Sequence, residues 1–234
     1  MKLSVPPFAY FDGFPKEFAD FLFSLRFKNT VDLLPENKVT YKALITEPLT
    51  LLFNDLTQTA LSISETLVAK PSKCVSTMYS DMRFSRTTPL KEYMYIRFRE
   101  PSREHDILGL YFDMGCEGYS YGIRIYNQTS AGMENIREGI LAKSRDYGQE
   151  LARLKQMGMI IVGEKYARDH YADIDDDAIK ELLNMRYFHL CWDQMIDETV
   201  FSRKLVEKIA STYVEMSGIF ALLKQSLNQR GGNL

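Results

Sequence analysis

Apolar residues recur at helical spacing in the first and last parts of the chain. After Pro15, whose fixed φ suits the first turn of a helix, Phe18 and Leu22 belong to a stripe that predicts a helix over residues 15–27. A second stripe over residues 41–63 contains Pro48, which removes a helical hydrogen bond and predicts a kinked helix or two abutting helices. A third stripe over residues 205–227 predicts one long terminal helix.

The middle of the chain changes to short β-rich runs that are bounded by turn residues. Strands are predicted at residues 75–79, 93–99, 107–114, 119–126 and 186–192, helices at 133–143 and 145–156, and the run 159–162 is compatible with either. Within residues 119–126 bulky apolar residues occupy alternate positions, so one face of that strand is predicted to be buried. These patterns predict a single α+β domain over residues 1–234, with a central antiparallel sheet flanked by N-terminal and C-terminal helices.

Composition and charge exclude several classes of partner. Lysine and arginine number 29 against 31 acidic residues, a net charge of −2, which gives no general attraction for nucleic acid. The three cysteines are widely spaced and predict reduced thiols rather than disulfides or a zinc site. No run is long and apolar enough for a membrane span, and Pro6-Pro7 interrupts any signal peptide, so we expect a cytoplasmic protein. The oligomeric state stays open.

Familiar catalytic and cofactor motifs are absent or out of context. The string from Gly118 to Gly122 fits the G-x-S-x-G nucleophile elbow, which makes a hydrolase using Ser120 a remote alternative. The residues that follow continue a β pattern, so we expect Ser120 within a strand and without a histidine partner. The three histidines and the aspartates at residues 173–177 fit no metal-binding motif, and no nucleotide-binding motif occurs, so neither metal nor cofactor is predicted.

A polar segment at residues 77–91 interrupts the β-rich region, and its pattern resembles a known family signature. Asp81, Arg83, Phe84, Ser85, Pro89 and Lys91 match the core motif and turn of the domain of unknown function 2461 family, conserved hypothetical proteins of bacteria and some fungi. The resemblance implies a compact α+β fold and supplies no activity, so catalytic residues remain unknown. Thr77 and Ser80 stand where the family usually has arginines, which weakens any site built on those arginines.

Two functions of different classes remain open, and whether the protein is an enzyme is undecided. In the first, a small anionic ligand binds to a basic site of Arg83, Arg86 and Lys91, with Tyr79 nearby and Asp81 orienting Arg83 through a charge-assisted hydrogen bond. The same Asp81 and Arg83 are equally compatible with an ion pair that only closes the end of the sheet. In the second, a non-catalytic interaction or scaffold protein uses exposed aromatic residues as a contact surface.

Overall fold

A computed structural model describes residues 7–81, 83, 88–101 and 104–228 of the chain. Its helices are Phe18–Lys28 (α1), Leu34–Tyr41 (α2), Glu47–Ile63 (α3), Pro71–Cys74 (α4), Ser130–Ala142 (α5), Ser144–Gln156 (α6), Asp177–Leu183 (α7), Lys204–Glu215 (α8) and Ser217–Asn228 (α9). Its strands are Tyr93–Arg99 (β1), Ile107–Gly115 (β2), Gly118–Tyr126 (β3), Ile160–Lys165 (β4) and Met185–Met195 (β5).

The strands form one antiparallel sheet in the order β1-β2-β3-β5-β4, which confirms the predicted α+β class. The ambiguous run at residues 159–162 contributes the edge strand β4. The predicted strand at residues 75–79 makes only isolated bridges, because Val75 pairs with Ile96 while Tyr79 pairs with Leu90 on a different segment. Since its two ends pair with different partners, no continuous ladder forms.

The sheet buries one face against helices. Phe98 of β1 stacks on Phe53 of α3 with ring centroids 5.3 Å apart, and Tyr213 of α8 donates a 2.7 Å hydrogen bond to the carbonyl of Tyr111 on β2. The predicted apolar set on β3 lies on this face and is buried: Tyr119, Tyr121, Ile123 and Ile125. Alternation therefore assigns the intervening side chains of each strand to the opposite face.

The helices differ from their predicted form at two places. A π-helical turn, Lys42–Thr46, joins α2 to α3, and Pro48 falls in the first turn of α3, where its missing N–H costs little. The C-terminal stripe divides at Met216 into α8 and α9, and this break lets α8 pack on α3 while α9 packs on α5. Within the described part of the chain, no helix is long and apolar enough to cross a bilayer.

An aspartate on α3 fixes the segment that precedes α1. The carboxylate of Asp55 accepts hydrogen bonds from the backbone N–H groups of Ala9 at 2.9 Å, Tyr10 at 3.1 Å and Phe11 at 2.8 Å. Asp55 is itself only 6% exposed, so these donors replace the water that a buried carboxylate needs. The N-terminal segment is thereby bound to the helical layer.

Candidate functional site

The strand face opposite the helices carries charged and aromatic side chains, and we call it the polar face. Its members are Tyr95, Arg97 and Arg99 on β1, Tyr111 and Asp113 on β2, Ser120, Arg124 and Tyr126 on β3, and His189, Cys191 and Asp193 on β5. The register aligns them in rows across the sheet: Tyr95–Asp113–Ser120–Asp193, then Arg97–Tyr111–Gly122–Cys191, then Arg99–Gly109–Arg124–His189. Residues from four strands therefore meet on one surface.

Tyr111 occupies the centre of the polar face and is fully buried there. Its hydroxyl lies 2.8 Å from the Ser120 hydroxyl, and the Arg124 guanidinium lies 4.1 Å from its ring centroid. Ser120 and Arg124 flank Gly122, the direct partner of Tyr111, so the phenol ring extends across a position without a side chain. Arg124 thus covers an aromatic ring that no helix covers.

Arg124 also forms an ion pair with Asp113, in which Nη1 donates to Oδ2 at 2.8 Å. The two side chains are only 27% and 25% exposed. Burial raises the pKa of Asp113 above its ordinary value, and the positive charges of Arg124 and Arg97 oppose that rise. The second oxygen, Oδ1, is buried without a hydrogen-bond partner among the described residues.

Arg97 and Arg99 project from the same face of the edge strand β1. The Arg97 guanidinium lies 3.6 Å from the ring centroid of Tyr95 and 5.5 Å from that of Tyr126, and the Arg99 guanidinium lies 5.7 Å from Tyr126. Within the described ranges neither arginine has a carboxylate partner. Arg97 Nε and the Tyr126 hydroxyl are both buried without a described hydrogen-bond partner.

A recess beside β1, which we call the basic pocket, has a volume of about 340 Å³ and is lined by Val68, Lys73, Arg97, Arg99, Glu100 and Ile107. Its single carboxylate, Glu100, is already bonded to Lys224 at 2.8 Å and to the Ser64 hydroxyl at 2.6 Å. The positive charges of Lys73, Arg97 and Arg99 therefore exceed the negative charge that lines the pocket.

A second recess, the end cavity, lies where the β2–β3 hairpin turns and has a volume of about 580 Å³. Asp113 and Ser120 of the polar face line it, together with Asp193, Glu92 and Glu117. Its arginine, Arg26, pairs with Glu117 at 2.8 Å and with Glu92 at 3.7 Å. The two recesses thus differ in charge, and Asp113 lies on the wall of the acidic one.

The imidazole of His189 and the thiol of Cys191 on the polar face are uncharged near neutral pH. Burial lowers the pKa of His189 to about 4, with the nearby Arg124 acting in the same direction. Burial raises the pKa of the Cys191 thiol to about 11. Ser120 lies in β3 as predicted, and in the described structure it bonds to Tyr111 and to no histidine. This arrangement lacks the base that a serine nucleophile requires.

Comparison with known protein families matches residues 17–221 to the conserved hypothetical protein family DUF2461. The chain belongs to the DUF2461 family. The match includes all five strands and therefore the whole polar face, and the family description assigns no activity. A search of curated proteins finds no match.

The signature segment of this DUF2461 protein lies at the edge of the sheet beside β1. Arg83 and Asp81 form an exposed ion pair, with Nη2 and Oδ2 2.6 Å apart. Asp81 and Lys91 line a shared recess of about 340 Å³, together with Thr88 and Tyr93. Arg86 lies outside the described residues.

Two other residues of the signature segment contact side chains outside it. Tyr79 is 42% exposed, and Lys38 of α2 lies 5.9 Å from its ring centroid. Lys91 lies 5.3 Å from the ring centroid of Tyr95, and its pKa is lowered by burial and by repulsion from Arg97. Lys91 therefore links the signature segment to the polar face.

The arginines of the polar face were not among the residues that the sequence singled out. A signal for them exists, because Arg97, Arg99 and Arg124 occupy alternate positions in predicted strands whose other face is apolar. Such positions are ordinarily read as solvent-exposed. Only the register shows that Arg97, Asp113 and Arg124 come from adjacent strands and converge.

Proposed function

We propose that this DUF2461 protein binds a small anionic ligand in the basic pocket. The observation that carries the proposal is the placement of Arg97 and Arg99 side by side on β1, facing a cavity of about 340 Å³, without a carboxylate partner among the described residues. Lys73 adds a third positive charge from the segment opposite. A carboxylate or phosphate would supply the negative charge that the pocket walls lack.

The chemistry of these side chains favours an oxyanion. A guanidinium presents its N–H donors in a planar fork that fits the oxygens of a carboxylate or phosphate. Tyr95 and Tyr126 lie against the faces of Arg97 and help to fix its orientation. Because the arginines extend from a strand rather than a loop, their spacing is set before the ligand arrives.

The signature segment forms the other part of the proposed site. Lys91 stands close enough to Arg97 for their charges to repel, and an anion between them would relieve that repulsion. We extend the proposal to Asp81, which orients Arg83 at the rim, and to Arg86 and Tyr79 of the same segment. Under this proposal the site spans β1 and the residues that precede it.

Ligand-dependent thermal stability tests the proposal directly. Inorganic phosphate, acetate and citrate should each be titrated against the wild-type protein, Arg97→Met, Lys73→Met and Arg83→Met. An anion that occupies the basic pocket raises Tm for the wild type, because binding to the folded state stabilises it. Arg97→Met and Lys73→Met should reduce that shift, and Arg83→Met tests the contribution of the rim.

Arg186→Met is the matched control, since Arg186 is 54% exposed in its side chain and pairs with Glu164 away from the pocket. It removes one positive charge and should keep the full ligand-induced shift. Equal shifts for Arg97→Met, Lys73→Met and the control would contradict the proposal. Circular dichroism of each variant without ligand separates loss of binding from loss of fold. Lys73→Met is the variant less expected to disturb the fold, because Lys73 is exposed.

A second candidate function is protein contact through α1. Phe23 and Phe27 are 48% and 74% exposed, and their rings pack together with centroids 5.7 Å apart. An exposed aromatic pair of this kind is typical of a contact surface. Sedimentation of the wild type and of the double variant Phe23→Ser/Phe27→Ser over a wide concentration range shows whether α1 mediates self-association, which only the wild type should display.

A further inference from the structure

We infer that the ligand carries hydroxyl groups beside its anionic group and that Asp113 accepts a hydrogen bond from one of them. The inference rests on the proposed function and narrows its ligand to a hydroxylated anion, such as a polyol phosphate or a hydroxy acid. It starts from the buried polar atoms of the polar face that have no partner in the described structure. Such atoms are uncommon in folded proteins and call for a physical explanation.

Three of these atoms belong to side chains of the polar face: Arg97 Nε, Asp113 Oδ1 and the Tyr126 hydroxyl. Arg97 Nε can only donate, Asp113 Oδ1 as a carboxylate oxygen can only accept, and the tyrosine hydroxyl can do either. A ligand that satisfies this set must therefore offer both an acceptor and a donor. An anionic oxygen supplies the first and a hydroxyl group supplies the second.

The contacts of Asp113 indicate that it does more than neutralise the positive charges of Arg97 and Arg124. Its Oδ2 accepts from Arg124 at 2.8 Å, yet Arg97 Nε donates nothing to Oδ1, although the two side chains interact electrostatically. A carboxylate that served only to balance both arginines would accept from both. Asp113 instead lines the end cavity, while Arg97 lines the basic pocket.

Charge decides which donor fits beside Asp113. A second anionic group is repelled by the carboxylate of Asp113 itself. A cationic amine is repelled by Arg97 and Arg124, the two arginines whose charges act on Asp113. A neutral hydroxyl group meets neither penalty and still donates to Oδ1.

The geometry limits the ligand to a few carbon atoms. Arg97 and Asp113 stand on adjacent strands and in adjacent rows, so their Cα atoms are separated by one strand spacing and one side-chain repeat, about 5 Å and 7 Å respectively. Their charges interact across that interval. Since Oδ1 is covered by the long side chains around it, ligand contact requires Arg97 or Arg124 to change rotamer.

Matched pairs of probes test the inference by isothermal titration calorimetry. Glycerol 3-phosphate is compared with propyl phosphate, and glycerate with propionate, so that each pair differs in hydroxyl groups and shares its anionic group. The wild type should bind the hydroxylated member of at least one pair about tenfold more tightly, because a site that hydrogen-bonds a hydroxyl leaves its acceptor unpaired when the hydroxyl is missing.

Asp113→Leu is the decisive variant. It removes both carboxylate oxygens and leaves no group that can accept from, or donate to, a ligand hydroxyl. The preference for the hydroxylated probe should then fall to less than about twofold. Asp193→Leu is the matched control, since Asp193 lines the same end cavity from the far side of its row and should leave the preference unchanged.

The outcomes separate this inference from the proposed function. If both members of each pair bind equally and binding depends on Arg97, the basic pocket is an anion site and the hydroxyl inference is wrong. If Asp113→Leu keeps the preference, Asp113 is not the acceptor and the inference also fails. If no probe binds the wild type, both the inference and the proposed function are overturned. Loss of fold in Asp113→Leu is checked by its unfolding midpoint, and Asp113→Ala then serves as the second variant.

Discussion

Replacing Arg124 should destabilise the folded protein by an amount that depends on the charge of Asp113. Arg124 pairs with Asp113 and covers the ring of Tyr111, so Arg124→Leu removes the charge while keeping an apolar cover over the ring. Asp113 is then left as a poorly solvated carboxylate on which, among the described residues, Arg97 still acts. The substitution therefore tests the charge interaction between Arg124 and Asp113 separately from the packing over Tyr111.

The burial of the pair sets the expected magnitude. Exposed ion pairs contribute up to about 1 kcal/mol, whereas breaking a fully buried pair costs about 3–5 kcal/mol. The side chains of Arg124 and Asp113 are 27% and 25% exposed, which places this pair between those limits. We expect Arg124→Leu to lower the free energy of unfolding by about 2 kcal/mol near neutral pH, with a coupling energy of about 1 kcal/mol in a double-mutant cycle with Asp113→Asn.

The stability cost of Arg124→Leu is expected to depend on pH, and the raised pKa of Asp113 sets the direction of that dependence. Because the pKa of Asp113 is raised in the folded protein, the folded state binds this proton more tightly than the unfolded state does. The resulting stabilisation is present at low pH and is lost as pH rises through the folded pKa. Removing Arg124 raises that pKa further and enlarges the loss. Urea unfolding should therefore show a larger cost of Arg124→Leu near pH 7 than near pH 4, and Asp113→Asn should abolish the difference.

Two results would refute this reasoning. A cost of Arg124→Leu that is the same at both pH values would show that Asp113 does not feel the charge of Arg124. Strict additivity of Arg124→Leu and Asp113→Asn would show that the two residues are not coupled. Equal m-values in all variants are the control, because they establish that the same surface is exposed on unfolding.

Three further predictions test other parts of the structure. Tyr126→Phe should raise the free energy of unfolding by about 1 kcal/mol, because it removes a buried hydroxyl that has no described partner, whereas Tyr147→Phe should lower it by about 1 kcal/mol because its hydroxyl bonds at 2.9 Å within the core. His189 should stay neutral in an NMR titration down to about pH 5, and its contribution to stability, fully present above the ordinary pKa of 6.5, should be lost progressively as pH falls from there through the folded pKa of about 4. Asp55→Ala should cost about 3 kcal/mol by urea unfolding because three backbone N–H groups, of which that of Phe11 is buried, lose their acceptor, against less than about 0.5 kcal/mol for exposed Asp20→Ala.

The fold was largely predictable because its elements show their period in the sequence. The predicted strand at residues 93–99 matches β1, since apolar residues that face the helices alternate there with longer polar ones. The division of the terminal helix at Met216 was not predictable, because the apolar stripe continues across it and no proline marks the break. The break depends on which helix each half contacts, and that is a tertiary property.

The candidate site was predictable only in part, and the reason is again tertiary. Lys91 was identified because charge interrupts a β-rich run, and it does lie beside the polar face. Arg97, Asp113 and Arg124 sit inside regular strands, where an alternating charged residue is indistinguishable from an ordinary solvent-facing one. Their convergence depends on the pairing register of β1, β2 and β3, which no single strand encodes.

The polar face is not explained by the requirements of the fold. A sheet that needs only to stay soluble on its open side can carry well-hydrated charges there, yet Tyr111 is fully buried and Asp113 is three-quarters covered. Each buried polar atom without a partner costs the folded state about 1–3 kcal/mol, and Arg97, Asp113 and Tyr126 each contribute one such atom among the described residues. Apolar side chains of similar size would avoid that cost and keep the strands intact. An arrangement that lowers stability without serving the fold is what binding sites commonly show, because groups arranged for a ligand are poorly satisfied without it.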